Sequence, residues 1–139
     1  MLQSCIVTSP DIIVKLRTYF VEDNPTIREN LIETLQELAN IEPVGIAETE
    51  ADATRWLSQN EDSWDLVIVD LFLRQGSGLG IVGAFQKRAE QQKLIVLSNY
   101  ATNDVRKRCE QLNADAIFDK SNEIDSLVDY CIGLNAANA

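Results

Sequence analysis

Short apolar runs alternate along the chain with longer stretches in which apolar residues recur every three or four positions. Runs rich in Val, Ile and Leu are typical of strands buried in a sheet, and the wider spacing is typical of helices that bury one face. The pattern predicts strands over residues 16–21, 43–47, 65–70, 93–98 and 114–118, each followed by a helix.

Caps and apolar stripes predict where the helices lie. Pro25 stands at the first position of the first helix, and the hydroxyls of Thr49, Thr102 and Ser121 are expected to cap the second, fourth and fifth. Residues 135–139 are expected to fray. The residues expected to face the core are Ile27, Leu31, Leu35 and Leu38; Ala53, Trp56 and Leu57; Leu79, Val82, Phe85 and Ala89; Val105, Cys109 and Leu112; and Ile124, Leu127, Val128 and Cys131.

Strands that alternate with helices predict a parallel sheet joined by right-handed crossovers, with helices on both faces. We expect an α/β, flavodoxin-like fold with a five-stranded parallel sheet in the order 2-1-3-4-5 and five flanking helices. Residues 1–139 fit a single domain. Its core is expected over residues 16–134, with an N-terminal extension over 1–15 and a flexible tail over 135–139.

The chain is acidic, with 22 Asp and Glu residues against 12 Lys and Arg residues and a formal net charge of −10. Nucleic-acid phosphates and anionic lipid repel such a chain, so we expect neither as a partner. No apolar run reaches the ~18–20 residues of a membrane-spanning helix and no signal peptide is recognised, so we expect a cytoplasmic protein. The basic triplet Arg106, Lys107 and Arg108 is expected to face water.

Histidine is absent and cysteine is sparse. The lack of histidine excludes a Ser-His-Asp triad, a Cys-His pair, a His-ligated metal and a phosphohistidine carried by this chain. Cys5, Cys109 and Cys131 are far apart and form no CxxC pair. We therefore expect reduced, buried thiols and neither zinc nor dithiol chemistry.

Polar side chains close the predicted strands. Glu22 and Asp23 follow the first strand, Asp70 ends the third, Ser98 ends the fourth and Lys120 comes just after the fifth. The first and third strands are neighbours in the expected order, so three carboxylates meet in one crevice. They are tolerated there if a cation sits among them or one group stays protonated. Such oxygen ligands suit Mg²⁺, and a hydroxyl with an ammonium suits a bound phosphoryl group.

These residues give the chain a resemblance to the response-regulator receiver domains of two-component signalling, over about residues 16–134. The resemblance rests on the acidic pair in FVEDN, the aspartate in VIVDLFL, the glycine in GSGL, the hydroxyl in VLSNYA and the lysine in IFDKS. Each motif alone is weak, but all of them occur here in the family's order. The resemblance implies a phosphorylation-dependent switch that accepts a phosphoryl group from a sensor histidine kinase or a phosphotransfer protein.

The same resemblance implies residue roles. Asp70 would be the phosphoacceptor, Ser98 would hydrogen-bond a phosphoryl oxygen, and Lys120 would pair first with Asp70 and then with the phosphoryl group. Asp23 would bind Mg²⁺ directly and Glu22 would do so through a water. The implied metal site thus consists of Glu22, Asp23, Asp70 and the backbone carbonyl of Phe72.

Four positions depart from the family's usual pattern. Ile117 stands where an aromatic residue usually follows the movement of the hydroxyl residue, and Ser121 replaces a common proline after the lysine. Arg74 replaces a common proline after the acceptor, which predicts a less restrained loop. Asn99 is bulkier than the small residue typical there and is expected to narrow access to Asp70.

Phe72 and Tyr100 each stand two residues beyond a site residue and are expected to line the path of the water that hydrolyses the acyl phosphate. Both are large and offer little to orient a water for attack. Any catalysis is therefore expected to amount to self-phosphorylation from a phosphodonor and slow self-dephosphorylation.

Other functions compete with the switch. Ile117 and Asn99 favour a receiver-like binding module that signals without phosphate turnover, whereas the acidic set and Lys120 oppose it. A haloacid-dehalogenase-type phosphatase is disfavoured because Pro25 occupies the position of its second aspartate. Flavin binding lacks a Ser/Thr/Gly-rich phosphate loop after the first strand. No output domain is recognised after residue 134, so we expect readout by an unknown downstream protein or by self-association, such as a homodimer.

Overall fold

The computed structural model describes residues 15–138, in which five strands alternate with five helices. Cys5 and nearly all of the expected N-terminal extension (residues 1–15) lie outside this range. The strands are β1 (Leu16–Val21), β2 (Ile41–Ala47), β3 (Leu66–Asp70), β4 (Lys93–Ser98) and β5 (Ala116–Asp119). The helices are α1 (Pro25–Ala39), α2 (Glu50–Gln59), α3 (Gly78–Ala84), α4 (Asn103–Gln111) and α5 (Ile124–Asn138).

The strands form one parallel sheet in the order β2-β1-β3-β4-β5, which confirms the predicted topology. Val21 pairs with Val69, so the residues that follow β1 lie beside the end of β3. Asp70 in turn pairs with Leu97, the residue before Ser98. The register therefore gathers the polar ends of the inner strands at one edge of the sheet.

Two apolar layers cover the sheet, because successive side chains of a strand point to opposite faces. Helices α1 and α5 contribute to one layer, which contains Leu35, Leu127 and Cys131. Helices α2, α3 and α4 contribute to the other, which contains Ala53, Ile81 and Cys109. Cys109 and Cys131 are buried free thiols, as expected. No helix within the described range is both long and apolar enough to cross a membrane.

Four elements differ in their bounds from the predictions, and β3 differs least, since it begins at Leu66 rather than at residue 65. β2 begins at Ile41 rather than at residue 43 and includes Pro43, which is tolerated because β2 is an edge strand. α3 ends at Ala84, so Phe85 is its C-cap and Ala89 lies outside the helix. β5 runs from Ala116 to Asp119 rather than over residues 114–118, because the turn after α4 extends further.

The buried stripe of α1 differs by one position from the expected one. It consists of Arg28, Leu31, Leu35 and Ala39, whereas Leu38 is 56% exposed. A step of four residues from Leu35 reaches Ala39, and at 3.6 residues per turn that position keeps to the buried side. The predictions that Ile27 and Leu38 face the core were therefore wrong, since Ile27 is 39% exposed as well.

Ser121 does not cap the last helix, which begins at Ile124. The Asp119 carboxylate accepts hydrogen bonds from the backbone N–H groups of Ser121 and Asn122, at 2.7 and 3.2 Å, and makes the turn before the helix. The other end of α5 runs to Asn138, through residues that were expected to fray. There the Asn135 amide donates hydrogen bonds to the backbone carbonyls of Ala39 and Asn40, at 3.1 and 3.3 Å.

Arg106 does not face water with Lys107 and Arg108, which are exposed as expected. Its guanidinium donates hydrogen bonds to the carbonyl oxygens of Ala101 and Ile117 and to Oε1 of Glu123. The three basic residues therefore differ in role: Arg106 makes structural hydrogen bonds, whereas Lys107 and Arg108 face solvent.

The contact between the ends of α5 and α1 can be tested by Asn135→Ala. The carbonyls of Ala39 and Asn40 would lose their amide donor, so we expect the free energy of unfolding to fall by about 1 kcal/mol in urea titrations. Asn103→Ala, at an exposed position on α4, is the matched control. Equal stability of the two variants would contradict a docked end of α5.

Candidate functional site

The three carboxylates predicted to meet do lie together. Glu22 and Asp23 follow β1, and Asp70 ends the neighbouring strand β3. Each offers an oxygen within 4.8 Å of the other two. Glu22 and Asp70 are buried, with 4% and 7% of their surface exposed. Three negative groups are therefore held close together, and two of them have little contact with water.

Lys120 supplies the cation that reaches this cluster. Its Nζ donates hydrogen bonds to Oε1 of Glu22 and, at 2.9 Å, to Oδ2 of Asp70. The lysine is placed by its own backbone N–H, which donates to the carbonyl of Ser98 at 3.0 Å and so continues the pairing of β4 with β5. One ammonium thus contacts two buried carboxylates.

In this contact, burial and hydrogen bonding shift the pKa of each group in opposite directions. Burial raises the pKa of Glu22, and the hydrogen bonds from Lys120 and from the Asn24 N–H oppose that rise without cancelling it. Burial lowers the pKa of Lys120, but the hydrogen bonds to Glu22 and Asp70 outweigh it, so the net shift is upward. The lysine is therefore firmly charged, and Glu22 takes up a proton more readily than an ordinary glutamate does.

Backbone N–H groups orient each carboxylate. Glu22 Oε2 accepts from Asn24 N at 3.1 Å, Asp70 Oδ1 accepts from Phe72 N at 3.2 Å, and Asp23 Oδ2 accepts from Arg74 N at 2.7 Å. The bond from Arg74 holds the loop to Asp23 in a way that a proline, which has no N–H to donate, could not. The Arg74 guanidinium lies 3.9 Å from Asp23 and is 80% exposed, so the charge interaction itself is weak.

Ser98 is fully buried at the end of β4, and its Oγ accepts a hydrogen bond from Tyr100 N at 3.1 Å. Two residues further along, the ring of Tyr100 contacts the ring of Phe72 edge to face, with centroids 5.4 Å apart. Both rings are largely exposed. The loops that follow β3 and β4 are thus joined by an aromatic pair beside the cluster.

Arg28 is a residue of this region that sequence reasoning missed. It is buried on α1, and its Nη1 donates to the carbonyl of Glu22 and to Oε2 of Glu48, both at 2.9 Å. These bonds fix the backbone between β1 and α1, where Glu22 and Asp23 lie. A signal was present, because Arg28 shares a helical stripe with Leu31 and Leu35, and a charged residue on a buried stripe requires a partner.

The donor set suits a hard divalent cation. Its side chains are carboxylates, with neither imidazole nor thiolate, and their oxygens lie close enough to share one ion. Mg²⁺ prefers such ligands and takes only one or two carboxylates directly, with waters completing its octahedron. A cation here would also offset the negative charge of the three carboxylates that the single ammonium of Lys120 does not neutralise.

The chain matches the family model described as the response regulator receiver domain over residues 19–131. A search of curated protein sequences gave no match. Among solved structures, it is similar to a LuxR-family two-component response regulator from Aurantimonas, with 18% identity, a TM-score of 0.77 and coverage of 89% of this chain and 87% of that one.

Two further structures show the same fold. The receiver domain of a Francisella response regulator is 16% identical, with a TM-score of 0.76 and coverage of 90% of this chain and 100% of that one. The phosphorylated cyanobacterial phytochrome response regulator RcpA is 20% identical, with a TM-score of 0.71 and coverage of 87% and 91%.

The balance between Lys120 and Glu22 can be tested by Lys120→Met. Without the ammonium, the folded-state pKa of Glu22 rises further above its unfolded value. A carboxyl with a raised folded-state pKa contributes stability at low pH that is lost as the pH rises through that pKa. We therefore expect a deficit in the free energy of unfolding that grows as the pH rises above the ordinary pKa range of a glutamate, reaching on the order of 3 kcal/mol.

The measurement is urea unfolding at each pH, without divalent cations. Lys107→Met, at an exposed position on α4, is the control and should show no such slope. A deficit for Lys120→Met that is the same at every pH would contradict the pairing with Glu22.

Proposed function

The chain belongs to the response regulator receiver domain family, and on that premise we propose that it is a phosphorylation-dependent switch of two-component signalling with Asp70 as the phosphoacceptor. One observation carries the proposal: Asp70 is buried beside two further carboxylates and hydrogen-bonded to Lys120. A carboxylate held next to an ammonium is placed to react with a phosphoryl group, whose charge that ammonium can then neutralise.

The donor would be a phosphohistidine on a sensor histidine kinase or a phosphotransfer protein, because this chain contains no histidine. An Asp70 oxygen forms a bond to phosphorus as the bond from phosphorus to the donor imidazole breaks. The imidazole, which carries a proton on its other nitrogen, leaves as a neutral group with the electron pair of the broken bond. Lys120 and the Ser98 hydroxyl would each donate a hydrogen bond to a phosphoryl oxygen, which stabilises the charge there.

Mg²⁺ is the cofactor of this proposal, held by Glu22, Asp23, Asp70 and the backbone carbonyl of Phe72. When bound, it would neutralise charge on the phosphoryl oxygens. Support comes from the all-oxygen donor set and from the excess of carboxylates over the single ammonium that contacts them. The Arg74 N–H, which holds Oδ2 of Asp23, would leave Oδ1 of Asp23 to face the ion.

The output would be a change in the binding of a downstream protein or in self-association. Ser98 and Lys120 lie at the ends of β4 and β5, so a phosphoryl group that binds both acts directly on the surface formed by α4, β5 and α5. A change from nearly off to nearly on requires about 5.5 kcal/mol of differential interaction between the two states. We place the switch in the cytoplasm, with support from the buried free thiols.

The acceptor can be tested by Asp70→Asn. We expect the wild-type protein to incorporate phosphate from acetyl phosphate in the presence of Mg²⁺ and the variant to incorporate none, because an amide cannot form the acyl phosphate. Intact-mass spectrometry measures the mass gain. Asp129→Asn, at an exposed position on α5, is the control and should label like the wild type. An unlabelled wild type would favour a binding module without phosphate turnover, and labelling of the variant would refute Asp70.

The aromatic pair predicts a slow loss of phosphate. Phe72 and Tyr100 pack edge to face, and their rings offer little to orient a water for attack on phosphorus. Phe72→Asn introduces a polar amide and breaks the pair, so we expect severalfold faster phosphate release after loading and removal of acetyl phosphate. Ile132→Asn, at an exposed apolar position on α5, is the control. Release from Phe72→Asn that is unchanged or slower would count against the prediction.

A further inference from the structure

The loop after Asp70 is closed on itself. We call residues 71–77 the acceptor loop. Phe72 and Ser77 pair as an antiparallel bridge, and Gly78 N donates to the carbonyl of Leu71 at 2.9 Å. A Cβ on Gly78 would lie 2.2 Å from the backbone oxygen of Asp70, so the return of the chain past Asp70 requires glycine there. The loop therefore begins and ends beside Asp70, at the carboxyl end of β3.

The far side of the acceptor loop is held by Glu50, the first residue of α2. Its Oε1 accepts a hydrogen bond from Ser77 N at 2.8 Å, and its own backbone N–H donates to the carbonyl of Gln75 at 3.2 Å. Thr49 and Gln75 add a parallel bridge. Two separate parts of the chain, the start of α2 and the acceptor loop, are thus joined by one half-buried residue.

Two glycines make the space that Glu50 occupies. Gly76 has a φ of +84°, and a Cβ there would lie 2.4 Å from Cβ of Glu50. A Cβ on Gly80 would lie 2.3 Å from Oε2 of Glu50. Neither distance is compatible with a side chain, so the carboxylate fits against the loop because both positions lack one.

We propose that Glu50 is a positioning residue for the phosphoryl and Mg²⁺ site, a proposal that rests on the proposed function. The acceptor loop carries the backbone groups that touch the carboxylates, with Phe72 N on Asp70 and Arg74 N on Asp23. By fixing Gln75 and Ser77, Glu50 holds the loop in the arrangement in which these two backbone donors reach the carboxylates. Partners that orient metal ligands in this way typically contribute about 10–100-fold to metal affinity.

Asp52 shows that this contact is specific to Glu50 and not to acidic residues at the start of α2. It lies in the same first turn, but its carboxylate pairs with Arg55 at 3.0 Å and is more than half exposed. Substitution of Asp52 therefore removes the same charge from the same helix end while it leaves the acceptor loop untouched.

The test compares Glu50→Ala, Glu50→Gln and Asp52→Ala with the wild type. We expect Glu50→Ala to raise the Mg²⁺ dissociation constant, measured by isothermal titration calorimetry, by about tenfold. It should also speed amide hydrogen exchange at Ser77 and slow labelling by acetyl phosphate. Glu50→Gln keeps an oxygen that can accept from Ser77 N, so it should behave nearly like the wild type, as should Asp52→Ala.

A second variant, Gly80→Ala, covers the case in which Glu50→Ala does not fold. Its methyl group would displace the Glu50 carboxylate without deleting it, so we expect the same loss of Mg²⁺ affinity. Because Glu50→Ala removes the clash, the double variant should be no worse than Glu50→Ala alone. Asn135→Ala, whose contact lies at the far end of α1, shows what general destabilisation does to Mg²⁺ affinity, and we expect no change.

The outcomes separate this proposal from the proposed function. A wild type that neither binds Mg²⁺ nor accepts phosphate overturns the proposed function, whereas the hydrogen exchange of Ser77 still tests the contact itself. A wild type that does both, with Glu50→Ala equal to Asp52→Ala, overturns the role of Glu50. The role of Glu50 is also overturned if Glu50→Gln loses as much Mg²⁺ affinity as Glu50→Ala. The same holds if Asn135→Ala loses that much Mg²⁺ affinity.

Discussion

Repulsion among three carboxylates is the constraint around which this end of the molecule is arranged. The strand order puts the residues after β1 beside the end of β3, so the sheet holds the backbone of Glu22 and Asp23 close to that of Asp70. Two of them are buried, where charge is costly. Lys120 therefore has to reach in from the end of β5, and its two hydrogen bonds tie three of the five strands together at the point of greatest charge.

The remaining carboxylate charge is met by backbone rather than by side chains. The N–H groups of Asn24, Phe72 and Arg74 each donate to a different carboxylate. Such donors are fixed by the fold and do not need to be recruited from solvent, so they orient the oxygens before any ion or phosphoryl group arrives. This explains why the loops after β1 and β3 are themselves tightly held, the first by Arg28 and the second by its own bridge and by Glu50.

Local patterns were enough to predict the strand order, both apolar layers and the meeting of the carboxylates. Buried strands such as β3 are recognisable from their composition, and the residues at their carboxyl ends can then be read from the sequence. What local patterns could not predict are contacts between segments far apart in the chain. The amide of Asn135 finds carbonyls at the end of α1, and Arg74 N finds Asp23, 51 residues away. The expectation of a less restrained loop at Arg74 considered only the missing proline ring and not the N–H that arginine adds.

Arg106 shows how the site is connected to the surface on which a switch would be read. With Ile117 in place of an aromatic residue, this position has no ring that could swing between inward and outward orientations. Instead, the Arg106 guanidinium joins Ala101, Ile117 and Glu123, and Oε1 of Glu123 also accepts from the N–H of Asp119, next to Lys120. These bonds link the loop after β4 to the start of α5. One of these two segments can therefore move alone only if a hydrogen bond of the Arg106 guanidinium breaks. In this chain, the Arg106 guanidinium joins the loop after β4, the backbone of β5 and the start of α5 through hydrogen bonds.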